Sequence, residues 1–412
     1  MISEKIYDCA VIGAGASGLF FAARLPQKSD VCVIEKNHIT GKKLLITGKG
    51  RCNVTNNSDI QTFIKNVRTN PEFMYGAFSN FSSYDTIEFF EKLGIGLKTE
   101  RGNRVFPQSD KSSDIVDALT RKMLQNGVAL IRDKISCVKK ENDIFFLSSD
   151  RNIYLARKLV IATGGKSYPS TGSTGDGYAF AKAFGHTITE IKPSLVPIEI
   201  DDLNCGNLQG LSLKNVTIKI VRDKKQVYEE FGEMIFTHFG MSGPIILSAS
   251  AFVSPGDSIF VDLKPALDEK QLDKRVLSDF SKYINRNLSN ALRDLLPLRL
   301  IPFIIERSGI SPYKKVNEIS FEERKKLLTL IKKLEFKVKG VRPISEAIIT
   351  SGGVCVKEIN PKTMESKLVK GLYFIGEVID VDAYTGGFNL QIAFSTAAAA
   401  VKNIFIDKAD FQ

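Results

Sequence analysis

The hydrophobic pattern divides the chain into stretches of different texture. Residues 6–12 become continuously apolar from Cys9 onward and predict a buried parallel strand; 13–18 form a glycine loop; 19–25 predict a short helix stopping before Pro26. Residues 31–35 are a second buried strand, so the chain opens on a strand–helix–strand unit. A less regular, glycine- and lysine-rich segment covers 37–57. Helical periodicity follows at 85–93 and 112–126, and hairpin-like strands at 136–138, 144–147 and 152–155. Residues 158–162 predict another buried strand, ending at Thr163-Gly164-Gly165, and 176–184 a helix.

From about residue 195 the texture changes. Residues 216–220, 227–231, 245–249 and 259–262 predict antiparallel strands, and 268–337 reads as helical, punctuated by Pro297, Pro302 and Pro312. A buried strand at 372–375 and a helix at 390–404, after Gly386-Gly387, restore the α/β pattern. The expected organisation is therefore one α/β domain made of residues 1–194 and 343–412, with an inserted lobe at 195–342, mainly β over 195–267 and mainly helical over 268–342.

Composition narrows the class. With 412 residues, 43% hydrophobic and 25% charged, the chain can bury a full core, which excludes a disordered chain or a small disulfide-stapled module. No apolar run reaches the length of a membrane span, and the apolar stretch at 9–12 runs into a glycine loop rather than a cleavage site, so the expected location is the cytoplasm. The six cysteines include no CxxC pair and the three histidines lack ligand spacing; neither a dithiol centre nor a metal site is expected. The net charge of +11 suits an anionic cofactor or substrate, but lysine and arginine are dispersed without interleaved aromatics, which argues against a nucleic-acid partner.

The loop after the first strand is GxGxxG. Gly13 allows the tight turn, Gly15 lets a pyrophosphate approach the backbone, and Gly18 lets helix and sheet pack closely; Ala16 and Ser17 complete the helix start, whose free N–H groups suit phosphate. Glu35 ends the second strand 22 residues after Gly13, where a carboxylate accepts both ribose hydroxyls of an adenosine, with Lys36 beside it. The irregular segment after Glu35 and the late strand–loop–helix suit a long flavin dinucleotide better than a simple nicotinamide cofactor.

Three further segments carry a resemblance: residues 41–56, GKKLLITGKGRCNVTN; 232–244, with Phe236-Thr237-His238-Phe239-Gly240; and 371–400. With these the chain resembles, over nearly its whole length, the YhiN/BaiN-type flavoproteins, also labelled the aminoacetone oxidase family. The resemblance implies a two-dinucleotide-binding-type, Rossmann-like FAD-binding domain whose insert has a β-barrel-like and a helical part over the flavin. It also implies an FAD-dependent oxidoreductase, with NAD(P)H as a transient donor and a small-molecule substrate. A more distant likeness to fumarate-reductase-type flavoproteins lies in Ala162-Thr163-Gly164-Gly165 and Thr174-Gly175-Asp176-Gly177, where Asp176 is expected to cap the next helix. That segment lacks a strand before Gly172 and an acidic strand end after its helix, so no separate NAD(P)H domain is assigned.

At the flavin end the expected contacts are Gly376 and Glu377 for ribityl hydroxyls, and Gly386, Gly387, Phe388, Asn389 and Gln391 at a helix start suited to negative charge on the reduced ring. Lys43, Gly50, Arg51 and Asn53 are placed at the pyrophosphate or ring edge, with Cys52 packed beside them and Ile135 among the cofactor contacts. His238 is the candidate proton donor. The insert is expected to close over the isoalloxazine and select the substrate. Alternative readings are a flavin-dependent tRNA-modifying protein and a non-catalytic FAD-binding protein. The electron donor and oligomeric state are not legible.

Overall fold

The computed structural model describes residues 2–406; Met1 and residues 407–412, the ends of the expected α/β domain, lie outside the described residues. The chain divides into two units, Met1–Ser194 with Ile344–Gln412, and Leu195–Pro343.

The first unit is built on a seven-stranded sheet. Ala129–Arg132, Val31–Glu35, Ile2–Ile12 and Ile153–Ile161 lie side by side in parallel. The last of these is one long strand where sequence periodicity suggested two, at 152–155 and 158–162. Its outer edge has two partners, antiparallel Ile144–Ser148 along residues 153–156 and parallel Leu372–Phe374 along 159–161. The polar residues Arg157 and Lys158, which mimic a turn in sequence, mark the changeover between partners. Carboxyl ends of four strands, at Ile12, Glu35, Ile161 and Phe374, therefore gather at one edge, the place where open α/β sheets bind ligands. The strand Ala129–Arg132 and a small sheet of Thr55–Asn56, Leu97–Glu100 and Arg104–Pro107 have too little alternation to be predicted.

Ala16–Ala23 is apolar on all sides because it is buried on all sides, with Phe20 stacked on Phe394 of the last helix, Phe388–Val401, at 4.6 Å. Gly18 sets how closely this helix approaches the glycine loop and the strand end at Ala162. A Cβ on Gly18 would stand 1.9 Å from the Gly13 carbonyl oxygen.

The second unit is a closed six-stranded barrel with helices. Ser212–Arg222 pairs with both Lys225–Phe236 and Ser258–Asp262, and buries alternate residues Val216, Ile218 and Ile220. Two expectations need correction. The stretch 245–249 is a helix, Pro244–Ala249, because Pro244 occupies a first-turn position after Gly243. The nominally helical 268–342 ends in a strand, Leu334–Val341, which joins Ser258–Asp262 to Ile198–Ile200 and closes the barrel. Its Lys/Glu-rich alternation reads locally as a continuation of helix Phe321–Lys332. No described helix is long and apolar enough to cross a membrane.

Candidate functional site

The gathered strand ends carry the glycine loop. Gly15 precedes the first helix, and a Cβ on it would meet nothing within 4 Å, so the backbone borders open space. The first helical bond runs from Leu19 N–H to Gly15 O at 2.9 Å, which leaves the amides of Ala16, Ser17 and Gly18 without intrahelical acceptors. Together these make an anion cradle. The Ser17 side chain is turned away, donating to Ile375 O at 3.4 Å. Glu35 is nearly buried; its Oε2 accepts from Ala14 N–H at 2.7 Å, and its Oε1 from the Asn37 backbone and side chain. The carboxylate is thus fixed at the strand end.

Residues 166–176 form a strap beside this cradle, latched by side chains from the segment after Glu35. Lys36 Nζ donates to Asp176 at 2.6 Å and to Thr174 at 2.5 Å; Asn37 Nδ2 reaches Thr171 O; Lys42 Nζ reaches Ser170 O at 2.7 Å; Lys43 Nζ reaches Ser167 Oγ at 2.7 Å. Asp176 is therefore an ion-pair partner in the first helical turn rather than the cap, a position held by Gly175 in a left-handed conformation. Ala162, Thr163, Gly164 and Gly165 lead into the strap, and Gly165 leaves no room for a Cβ beside Thr350 and Glu377.

Glu377 was expected to be an open acceptor. Instead its carboxylate collects Lys43 at 2.7 Å, Ser167 at 3.1 Å and Thr350 N–H at 2.8 Å, tying together three chain segments at the strand end after Gly376. A polyol there would have to share Glu377 with these groups. Arg51 is likewise committed: it pairs with Glu100 and Asp110 and lies over Phe106 at 4.2 Å, which pins the loop containing Gly50. Its planar fork finds two carboxylates close by, so the expected pyrophosphate contact is not the arrangement observed. Cys52 is fully buried, and burial pushes its thiol up to about 12, leaving a packed, unreactive group. Asn53 Oδ1 alone in this loop is buried without a hydrogen-bond partner, an orphan acceptor suited to a ligand N–H.

The last helix begins at Gly387. Its φ is +101°, and a Cβ would fall 2.4 Å from the Thr55 carbonyl, so only glycine fits. The first helical bond ends on Gln391 N–H, leaving the amides of Phe388, Asn389 and Leu390 as a second cluster of donors. The side chains expected to touch cofactor do other work. Phe388 packs edge-on against Phe63, and Asn389 bonds Ala383 N–H and O, holding the preceding loop. Gln391 is fully buried and links Thr55, Thr86 and Ser395. Ile135 is a core residue.

Sequence reasoning missed a second brace. Asp382 accepts from Arg68 at 2.8 Å, Ser194 at 2.9 Å and Ser351 at 3.1 Å, while Asn70 bonds Asp380. Burial raises the Asp380 pKa, and the nearby Asp382 charge adds to it. This brace fixes the loop leading to Gly386 and Gly387. No sequence signal joins residues so far apart.

His238 belongs to the second unit. It is exposed on a tight turn closed by Thr237 N–H to Gly240 O at 2.8 Å, with its ring edge-on to Phe239. His186 is buried between Glu358 and Ser366, at 3.1 and 2.7 Å. This resembles a nucleophilic triad, but Ser366 Oγ already accepts from Leu368 and Val369 N–H and is buried, so the trio is a structural cross-link. Among the described residues no cluster of His, Cys, Asp or Glu is arranged to hold a metal ion.

Two helix N-termini, an open glycine backbone and an orphan Asn53 acceptor fit a long dinucleotide such as FAD. Comparison agrees at the level of fold. The 3-ketosteroid Δ1-dehydrogenase of Sterolibacterium denitrificans is 12% identical and superposes with a TM-score of 0.52 over 98% of this chain and all of that one. Relatives also match in sequence over nearly their whole length. A ribosomal RNA dihydrouridine synthase of Haemophilus influenzae is 34% identical over 96% of this chain and 97% of its own length. A ribosomal RNA dihydrouridine synthase of Escherichia coli is 31% identical over 98% and 99%. A 3-dehydro-bile acid Δ4,6-reductase of Clostridium scindens is 29% identical over 95% and 97%. The model of the HI0933-like protein Rossmann domain matches residues 7–403. With that match spanning both units of a Rossmann-type FAD-binding fold, the chain belongs to the HI0933-like family of flavoproteins, the YhiN/BaiN group.

Proposed function

We propose that this protein is an FAD-dependent reductase of a carbon–carbon double bond conjugated to a carbonyl, acting on uracil in ribosomal RNA. The observation carrying this reading is the full-length similarity to relatives whose names all describe saturation of such a bond, with the two more similar ones acting on ribosomal RNA. Bound FAD supplies a two-electron carrier between a reduced donor, here NADH or NADPH, and the acceptor. The chain binds and orients. Glu35 would accept ribose hydroxyls, the amides of 16–18 would hold phosphate, and the amides of 388–390 would favour negative charge on the reduced ring. In the reaction a hydride adds to uracil C6, the π pair moves toward C5 and O4, and a proton completes C5. His238 is the proposed proton donor. On that assignment His238→Ala retains FAD and stability while product formation falls about tenfold or more; unchanged kinetics would remove the role.

A second reading, reduction of a small conjugated enone, is favoured by the bile-acid reductase relative. One experiment separates the two. FAD-loaded protein is incubated anaerobically with NADH or NADPH and either unmodified ribosomal RNA transcribed in vitro or a 3-oxo-Δ4,6 steroid, and products are read by mass spectrometry. A gain of two hydrogens on uridine supports the first reading, and on the steroid the second. Nicotinamide-reducible flavin with neither product overturns both.

A further inference from the structure

The lysines that look dispersed in sequence do not share one fate in the fold. In the helical part of the second unit, Lys314 pairs with Glu323, Arg324 with Asp273, Lys332 with Asp262 and Lys282 with Asp294. Lys315, Lys325, Lys326 and Lys333 are exposed and have no ion-pair partner among the described residues. On helix Phe321–Lys332, Leu327 and Ile331 are buried, and the outward positions are 322, 325, 326 and 329, with Lys333 following at the helix end. At about 100° per residue, Lys325, Lys326 and Lys333 occupy one face, accompanied by the single acid Glu322. Two large aromatic residues border the same helix. Phe321, in its first turn, is 61% exposed, and Tyr313 is 79% exposed. Tyr313 adjoins Lys314, whose ammonium is held 2.7 Å from Glu323 in that first turn. Segment 313–315 is further anchored by the bridge between Lys315 and Asn287, which brings the exposed Arg286 alongside; Glu318 is the exposed acid nearby.

Unpaired cations beside solvent-facing aromatic rings are what a folded RNA strand requires: charge for phosphate, and flat faces for unstacked bases. We propose that this face, Lys315, Lys325, Lys326 and Lys333 with Tyr313 and Phe321, is the RNA-docking surface of the protein, with Tyr313 as its stacking platform. The proposal rests on the ribosomal-RNA reading and adds to it a surface outside the cofactor cradle. The paired lysines maintain the fold, whereas the unpaired ones are available to exchange counterions for phosphates.

The test measures binding of fluorescein-labelled ribosomal RNA transcribed in vitro to FAD-loaded protein, by anisotropy at several potassium chloride concentrations. The variant Lys325→Ala/Lys326→Ala/Lys333→Ala is compared with the equal charge change Lys214→Ala/Lys224→Ala/Lys225→Ala on the barrel. The face variant is expected to bind about tenfold more weakly at low salt, with the slope of log affinity against log salt reduced by about 2. Tyr313→Ala is expected to weaken binding by about tenfold without changing that slope. Flavin content and nicotinamide reduction of the flavin stay at the wild-type level in all three. Wild-type protein that binds no RNA overturns the ribosomal-RNA reading itself. Wild-type binding that the face and barrel variants alter equally, or not at all, overturns the surface and leaves that reading standing.

Discussion

The two units solve different packing problems. The first keeps polar groups in its interior: Asp382, His186, Thr55, Gln391, Ser395 and Thr396 are all almost inaccessible, and each bonds a different element of the fold. The second buries mostly apolar residues of a closed barrel and its helices, and its few buried charges, Asp257 and Asp279, each hold an arginine that reaches toward the surface. A barrel satisfies its backbone through its own ladder and needs little else. An open sheet edge that must hold loops around a ligand has no such ladder, and buried side-chain networks position those loops instead.

Matched substitutions in the two units sharpen this contrast. The largest effect is expected at Gly18, where Ala must displace backbone: Gly18→Ala costs about 3 kcal/mol or more and abolishes flavin retention. Gly256→Ala in the second unit meets no atom but forces a left-handed residue, and costs about 1–2 kcal/mol with flavin retained. Thermal unfolding and visible flavin absorbance read both.

The buried carboxylates come next. Asp382→Ala leaves Arg68 without its partner and is expected to cost about 3 kcal/mol and weaken FAD binding, since the loop before Gly386 loses its brace. Asp257→Ala, which strands Arg222, destabilises by a similar or smaller amount and leaves FAD affinity unchanged. Equal loss of FAD from both would erase the distinction between the units.

A smaller, kinetic effect is expected at the strap. Lys36→Ala removes the latch to Asp176 and Thr174, so FAD dissociates about tenfold faster, corresponding to about 1.4 kcal/mol, while melting shifts little. Stopped-flow release into excess apoprotein acceptor measures it. An unchanged rate would mean the strap does not gate the cradle.

The smallest effect is a pH dependence. Burial lowers the His186 pKa from its ordinary 6.5, outweighing the opposing pull of Glu358. The unfolded chain therefore takes up this proton at a higher pH than the folded protein. The His186 contribution to stability is complete above about pH 6.5 and declines as pH falls through the lower folded value. His186→Gln should flatten the acid side of the melting-temperature profile; a parallel profile would assign the acid loss to other groups.

Much of the first unit was legible because its signals are local. A strand, three spaced glycines, a short apolar helix and an acidic strand end lie within the first 35 residues, and each is dictated by sterics or burial at its own position. The second unit was less legible. Barrel closure depends on Leu334–Val341 meeting Ile198–Ile200, a pairing between residues more than 130 positions apart, and the closing strand carries a charge pattern also compatible with helix.

The candidate site divides in the same way. Sequence alone determined the glycine loop, Glu35, the glycine pair before the last helix and the family to which they point, because backbone conformation and close approach leave no substitute for glycine. Tertiary structure decided what each side chain does there. Arg51 faces two carboxylates, Gln391 is core, Glu377 gathers Lys43, Ser167 and Thr350, and Asp382 braces a loop from a distance. A charged or amide group bonds whichever partner the fold brings within reach, and those partners come from segments whose separation along the chain carries no periodic signal. The same holds on the surface of the second unit, where only the folded helix reveals which lysines are paired and which face outward.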